Sequence, residues 1–128
     1  MSKEQKFFLC KHCGNLVGMI HSCGVKMVCC GDEMTELKAN TSEGAGEKHL
    51  PVISVDGNLV TVTVGEVLHP MVEEHYIQWV YLHTEKGGQR KWLAPGEKPE
   101  VTFALTEDDS VIEAFEYCNL HGLWKTTL

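Results

Sequence analysis

Five of the chain's six cysteines, Cys10, Cys13, Cys23, Cys29 and Cys30, fall within its first 30 residues. This crowding constrains the fold more than any other feature. A segment that short buries too little apolar surface to fold unaided, and small domains of this kind are closed by a metal ion or by disulfides. The opening stretch MSKEQKFFLC holds no apolar run of the secretory type, and no run elsewhere is long enough to cross a bilayer. A soluble, cytoplasmic protein is therefore expected, in a compartment that keeps thiols reduced. Metal binding or redox chemistry is then the expected use of the cysteines, rather than a disulfide framework.

Within the cluster, CKHC at 10–13 is a C-x-x-C knuckle and CC follows at 29–30. Four thiolates arranged as a tetrahedron suit zinc and iron alike, so the spacing predicts a metal without choosing it. The adjacent pair is informative. Two neighbouring cysteines must splay their side chains to reach one ion, which should open one angle of the tetrahedron. A purely structural zinc site gains nothing obvious from that distortion. Cys23 is read as a spare thiol, although it could replace one member of the set. His12, between two ligands, and His21, in the intervening loop, are read as solvent-facing bystanders.

The small, polar stretch KANTSEGAGEK at 38–48 reads as a linker or long loop. The expected organisation is a metal-bound domain over 1–37, a linker over 38–46 and a second domain over 47–128. The second part reads as mainly β. PVISV and LVTVTV flank the turn signal DGN, and NLVTVTVG alternates apolar with polar residues as a half-buried strand does. HYIQWVYLHT, RKWLA, EVTFAL and VIEAFEYC follow as further short strands. About seven strands in that length predict an immunoglobulin-like β-sandwich, with a small barrel as the alternative. The net charge of −7 gives no general attraction to nucleic acid or to an anionic membrane.

The second part also concentrates imidazoles. EKHLPVI carries His49, LHPMVEEHYIQW carries His69 and His75, and CNLHG carries Cys118 and His121. All five fall at predicted strand ends or loops, and loops at one end of a sandwich converge. Each histidine taken singly could merely cap a turn; five donors in three tight contexts predict one site. Iron, copper, nickel and zinc all accept imidazole, but five donors are crowded for zinc. Four neutral nitrogens with one thiolate make ferrous iron the natural candidate, with an open position as the reactive face. Glu47 could reach that position and Lys48 could set a positive charge beside it; an ordinary solvated Glu–Lys pair is the equal alternative. His83 lies outside these motifs and is read as a surface strand residue.

Taken together, CKHCGN, VCCG, EKHLPVI, HPMVEEHYIQW and EYCNLHGLWK resemble the desulfoferrodoxins, the two-iron form of superoxide reductase, along almost the whole chain. The resemblance implies a desulforedoxin-like first domain in which Cys10, Cys13, Cys29 and Cys30 hold one iron. It implies an immunoglobulin-like second domain in which His49, His69, His75 and His121 surround a second iron with Cys118 axial. The implied reaction is one-electron reduction of superoxide to hydrogen peroxide, with two protons taken up and no dioxygen released. Glu47 would close the sixth position in the resting state, and Lys48 would attract the anion and assist protonation. A rubredoxin-type electron donor and a homodimer are the partners the resemblance implies. Two other readings make different predictions. A pure electron carrier should be indifferent to neutralising Lys48, and a zinc-stabilised binding module should be colourless and free of iron.

Overall fold

The computed structural model describes residues 4–42, 44 and 46–128, so positions 43 and 45 of the expected linker lie outside the described residues. The chain divides into two compact units, Met1–Lys38 and Ala39–Leu128. In the first, strand β1 (Lys6–Leu9) pairs antiparallel with β2 (Leu16–Met19) on one side and with β5 (Thr35–Glu36) on the other. A second hairpin joins β3 (Val28–Cys29) to β4 (Asp32–Glu33). Among the described residues of this unit only Phe7, Cys10 and Met34 are buried apolar side chains. Three such residues are no core, and one of them is itself a member of the thiol cluster, which is the physical reason a metal is needed here.

Among the described residues the second unit is a sandwich of seven strands. One sheet has the order β10 (Glu100–Ala104), β7 (Leu59–Val64), β6 (Pro51–Asp56). The other has the order β12 (Gly122–Thr127), β11 (Val111–Cys118), β8 (Ile77–Thr84), β9 (Gly87–Trp92), and neighbours in both sheets run antiparallel. The DGN signal becomes a two-residue turn, with Asp56 paired to Leu59 and Gly57 at φ 59°. Alternation in β7 and β10 sends Val60, Val62, Val64, Val101 and Phe103 inward. They meet Ile77, Val80, Leu82 and Ala114 from the facing sheet, and Cys118 closes the same cluster at one end. The seven strands and two sheets agree with the expected sandwich.

One local reading is revised. His83 is buried, not a surface residue: its Nδ1 lies 2.8 Å from Glu113 Oε2 across the β8–β11 pair. Burying an imidazole needs such a polar partner, and Glu113 is placed for it by strand register. The small polar stretch before the sandwich is strapped onto β12. Asn40 Nδ2 donates to the Lys125 carbonyl (3.1 Å) and Lys125 N–H donates to Asn40 Oδ1 (2.9 Å). Ser42 Oγ donates to the His121 carbonyl.

Candidate metal centres

In the first unit the sulfur atoms of Cys10, Cys13, Cys29 and Cys30 all lie within 4.8 Å of one another. Cys10 and Cys13 come from the turn after β1; Cys29 ends β3 and Cys30 follows it. The hairpin solves the problem posed by adjacent cysteines. Cys30 (φ 53°) and Gly31 (φ 79°) both take left-handed backbone, as the central pair of a tight hairpin turn does. Glycine does so freely, whereas for Cys30 the conformation costs about 1–2 kcal/mol. Two thiolates ~2.3 Å from one tetrahedral ion lie about 3.8 Å apart; Cys13 and Cys29 sulfurs are 3.6 Å apart. The thiols perturb one another strongly. The backbone N–H of Cys13 helps pull Cys10 down to about 6, while thiol contacts from Cys13, Cys10 and Cys29 push Cys30 up to about 12. Such a set crowds negative charge that one cation relieves. Cys23 is exposed and outside the cluster, and His21 is exposed. His12 is exposed too, but its Nε2 contacts the Asp32 carboxylate, so it ties the first knuckle to the hairpin and is more than a bystander.

The second cluster is built at one end of the sandwich. The start of β6 pairs with the end of β7 (Pro51 with Val64), and the end of β11 pairs with the starts of β8 and β12 (Cys118 with Ile77 and Gly122). Segments that leave these ends must converge. His49 closes a single helical turn, α1 (Gly46–His49), where a strand end or loop was expected. His69 and His75 lie on the connection between β7 and β8, and Cys118 and His121 flank the turn between β11 and β12. Ring centroids run 4.7 Å from His49 to His69, 4.6 Å to His75, 5.0 Å to His121 and 4.8 Å back to His49. The His49–His75 diagonal is 6.3 Å. Four nearly equal sides with a longer diagonal describe a near-square.

The donor chemistry of this square fits one metal ion and little else. His69 Nδ1 lies 2.7 Å from the Pro70 carbonyl, which only accepts, so Nδ1 carries the hydrogen and Nε2 the lone pair. That Nε2 is 3.2 Å from His49 Nε2, which is in turn 3.1 Å from His121 Nδ1. Two nitrogens at right angles about one ion, each ~2.1 Å away, lie about 3 Å apart. His75 Nε2 is buried without a hydrogen-bond partner. Burial holds His69 down to about 4, and burial followed by the charges of His121, His49 and Lys48 holds His75 below its ordinary value. Neutral imidazole is the ligating form. Cys118 Sγ lies 3.9 Å from His121 Nδ1. Burial raises the Cys118 thiol, while the N–H groups of His121 and Leu120 donate toward the sulfur and oppose that rise. Its donor atom lies within 4.8 Å of those of His49, His75 and His121, and His69 joins the set through His49.

Glu47 and Lys48 precede His49 on α1; Glu47 is exposed and Lys48 half-buried. Two supports of this helix were not legible in the sequence. Gly65 follows β7, and a Cβ there would lie 2.6 Å from the Glu47 carbonyl oxygen and 2.9 Å from the Lys48 carbonyl carbon. Only glycine lets the backbones approach so closely. Trp124 stacks on the His49 ring at 4.9 Å with 26° between planes, and its indole N–H donates to the His121 carbonyl (3.1 Å). A TVGEV stretch and an HGLWK stretch carry no signal of these roles by themselves.

Residues 41–127 match the family model described as Desulfoferrodoxin. Over 125 residues the chain is 46% identical to a desulfoferrodoxin of Nitratidesulfovibrio vulgaris, covering 98% of each. It is similar to the crystal structure of the superoxide reductase from Treponema pallidum, with a TM-score of 0.83 and 47% identity over 98% of this chain and 100% of that one. It is also similar to a one-iron superoxide reductase structure from Giardia intestinalis, with a TM-score of 0.54 and 30% identity over 64% of this chain and 97% of that one.

Proposed function

Since the chain belongs to the desulfoferrodoxin family, we propose that it is a superoxide reductase that converts superoxide, one electron and two protons into hydrogen peroxide. The observation that carries this reading is the near-square of four imidazoles beside a buried thiol. His49, His69, His75, His121 and Cys118 would hold one iron, and Cys10, Cys13, Cys29 and Cys30 a second. When bound by the five-donor set, ferrous iron supplies the single electron that superoxide takes up.

The protein's own residues set the conditions for that transfer. Desolvation keeps the His69 and His75 imidazoles neutral and available as donors. The N–H groups of Leu120 and His121 draw charge from the Cys118 sulfur and so tune how strongly it donates. In a chain of net charge −7, the Lys48 ammonium offers a local attraction for a small anion. Its place one residue before His49 suits it to deliver a proton, directly or through water. Glu47 is proposed as the carboxylate that guards the metal's remaining position at rest.

The stoichiometry requires an outside reductant on every turnover, and a rubredoxin-type protein is the proposed donor. A homodimer is proposed as the assembled form. Among the described residues no helix is long and apolar enough to cross a membrane, and all six cysteines are free thiols; the proposed location is the cytoplasm, where thiols stay reduced.

Product counting tests the reading. Reduced, iron-loaded protein mixed with superoxide should yield one peroxide per superoxide, release no dioxygen, and turn over only with a donor. Dioxygen appearing alongside peroxide would mean dismutation and overturn the proposal. Absence of consumption above background would point to an electron carrier.

A further inference from the structure

His75 differs from the other three imidazoles in how it is held. His49 rides on α1 and stacks on Trp124, and His121 shares a turn with Cys118. His69 is fixed by its own hydrogen bond to the Pro70 carbonyl. His75 sits near the end of a connection that runs from Gly65 to Tyr76, and among the described residues its only ladder contact is a bridge with Val72, itself on that connection. A ligand so placed needs an anchor from outside its own segment.

Asn119 provides one. The Tyr76 N–H donates to Asn119 Oδ1 (2.9 Å), and Asn119 Nδ2 donates to the Glu74 carbonyl (3.0 Å). The Asn119 N–H also reaches the Tyr76 carbonyl (3.3 Å). One side chain therefore grips the peptide groups on both sides of His75. The same residue lies between Cys118 and His121, so its backbone belongs to the turn that carries two other donors. A side chain with one acceptor and one donor, at the right spacing for an N–H and a C=O two residues apart, is what this grip requires. Asparagine has both; aspartate keeps only the acceptor.

We propose that Asn119 is a positioning residue, which locks the His75 imidazole in register with the Cys118–His121 turn and thereby holds the metal's donor set together. The proposal rests on the reading that these five donors bind one iron. It does not depend on what that iron reduces.

The test compares Asn119→Ala and Asn119→Asp with Asn40→Ala in iron-loaded full-length protein. Asn40 makes the same two-handed grip, on the N–H and C=O of Lys125, but holds no ligand peptide. It therefore controls for the simple loss of two hydrogen bonds. Three quantities are read: the rate of iron transfer from the five-donor site to a ferrous chelator, the thiolate-to-iron absorption of the oxidised site, and amide exchange at Tyr76 in metal-free protein. Asn119→Ala should release iron roughly 10–100-fold faster, the usual range for residues that orient metal ligands. It should also shift the absorption band and expose the Tyr76 amide. Asn119→Asp should fall between it and the wild type, and it carries the test alone should the alanine variant not fold. Asn40→Ala should stay within about twofold of wild type for iron release, with an unshifted band. Equal iron release and equal spectra for Asn119→Ala and Asn40→Ala would overturn the proposal. Failure of the wild type to hold iron at the histidine set would overturn it together with the metal reading beneath it. Wild-type protein that holds iron at the histidine set but consumes no superoxide in the product-counting assay would instead sink only the enzymatic reading.

Discussion

Gly65 bears no ligand and touches no substrate, yet it decides where Glu47 and Lys48 can lie. Any side chain at this position would begin 2.6 Å from the Glu47 carbonyl oxygen, inside the contact distance of real atoms. The obstruction is backbone, so it does not swing aside. Gly65→Ala should cost about 1–3 kcal/mol, the range for overpacking a close contact. Because α1 would be pushed outward, iron retention at the histidine set should fall while the four-cysteine iron keeps its spectrum; denaturant titration and metal analysis check both. Lys48 invites the opposite expectation. In the role proposed for it, its charge acts on an approaching anion and not on the fold, so Lys48→Ala should leave stability and iron content alone. Stopped-flow mixing with superoxide should show a rate lower by roughly tenfold at low ionic strength, and the gap should narrow in salt as screening shortens the reach of the charge. The two residues also mark what a sequence discloses. Donor atoms such as His49 or Cys118 announce themselves by chemical type. Gly65, Trp124 and Asn119 act through shape or hydrogen bonding, which residue type alone does not reveal. His83 escaped for a related reason: its partner Glu113 is 30 residues away and is brought beside it only by strand pairing.

At the scale of elements, the strands were legible because their signals are local. Alternation in β7 and the Gly57–Asn58 turn are both properties of neighbouring residues. The one-turn helix α1 was not, since four residues carry no periodicity; nor was the docking of Asn40 and Ser42 onto β12, which depends on partners some 80 residues away. The loops at the far end of the sandwich show that the two ends do different work. There Asp109 accepts from the Thr84 hydroxyl (2.8 Å), the Lys86 N–H (3.0 Å) and the Ser110 N–H (2.9 Å), and so pins the β8–β9 turn to the start of β11. Burial pushes this carboxyl up, but the three donors, the Thr84 hydroxyl first, outweigh it and hold the group below its ordinary value. A carboxylate depressed in the folded state stabilises above its unfolded pKa and loses that contribution as pH falls through the folded one. Asp109→Ala should therefore lower stability by about 1 kcal/mol at neutral pH. The difference from wild type should shrink as the medium is acidified below about pH 4. Thermal melts across that range read the convergence, and superoxide turnover should be unaffected because no donor lies at this end.

For the whole molecule, the division into two units assigns different work to the two metals. Among its described residues the second unit has a continuous apolar cluster of ten buried ones, and Cys118 belongs to it. It holds all five donors of the histidine site, together with Glu47 and Lys48. The first unit has three buried apolar residues among those described. Its order must come mainly from four thiolates gathered on one ion, and binding energy there is folding energy. Two consequences can be measured on one protein. Stripping both metals should unfold the first unit and leave the sandwich folded, so amide exchange should become fast across residues 4–38 while Val62, Leu82 and Ala114 stay protected. Cys13→Ser should reproduce that loss selectively, with the four-cysteine iron gone and the histidine-bound iron retained. Pre-reduced Cys13→Ser protein should then reduce its first equivalent of superoxide at a rate close to wild type, because nothing that touches the anion has changed. A steady-state defect appearing only with an external donor would place the first iron on the electron's path. An equal rate in both regimes would leave the four-cysteine iron with a structural task alone.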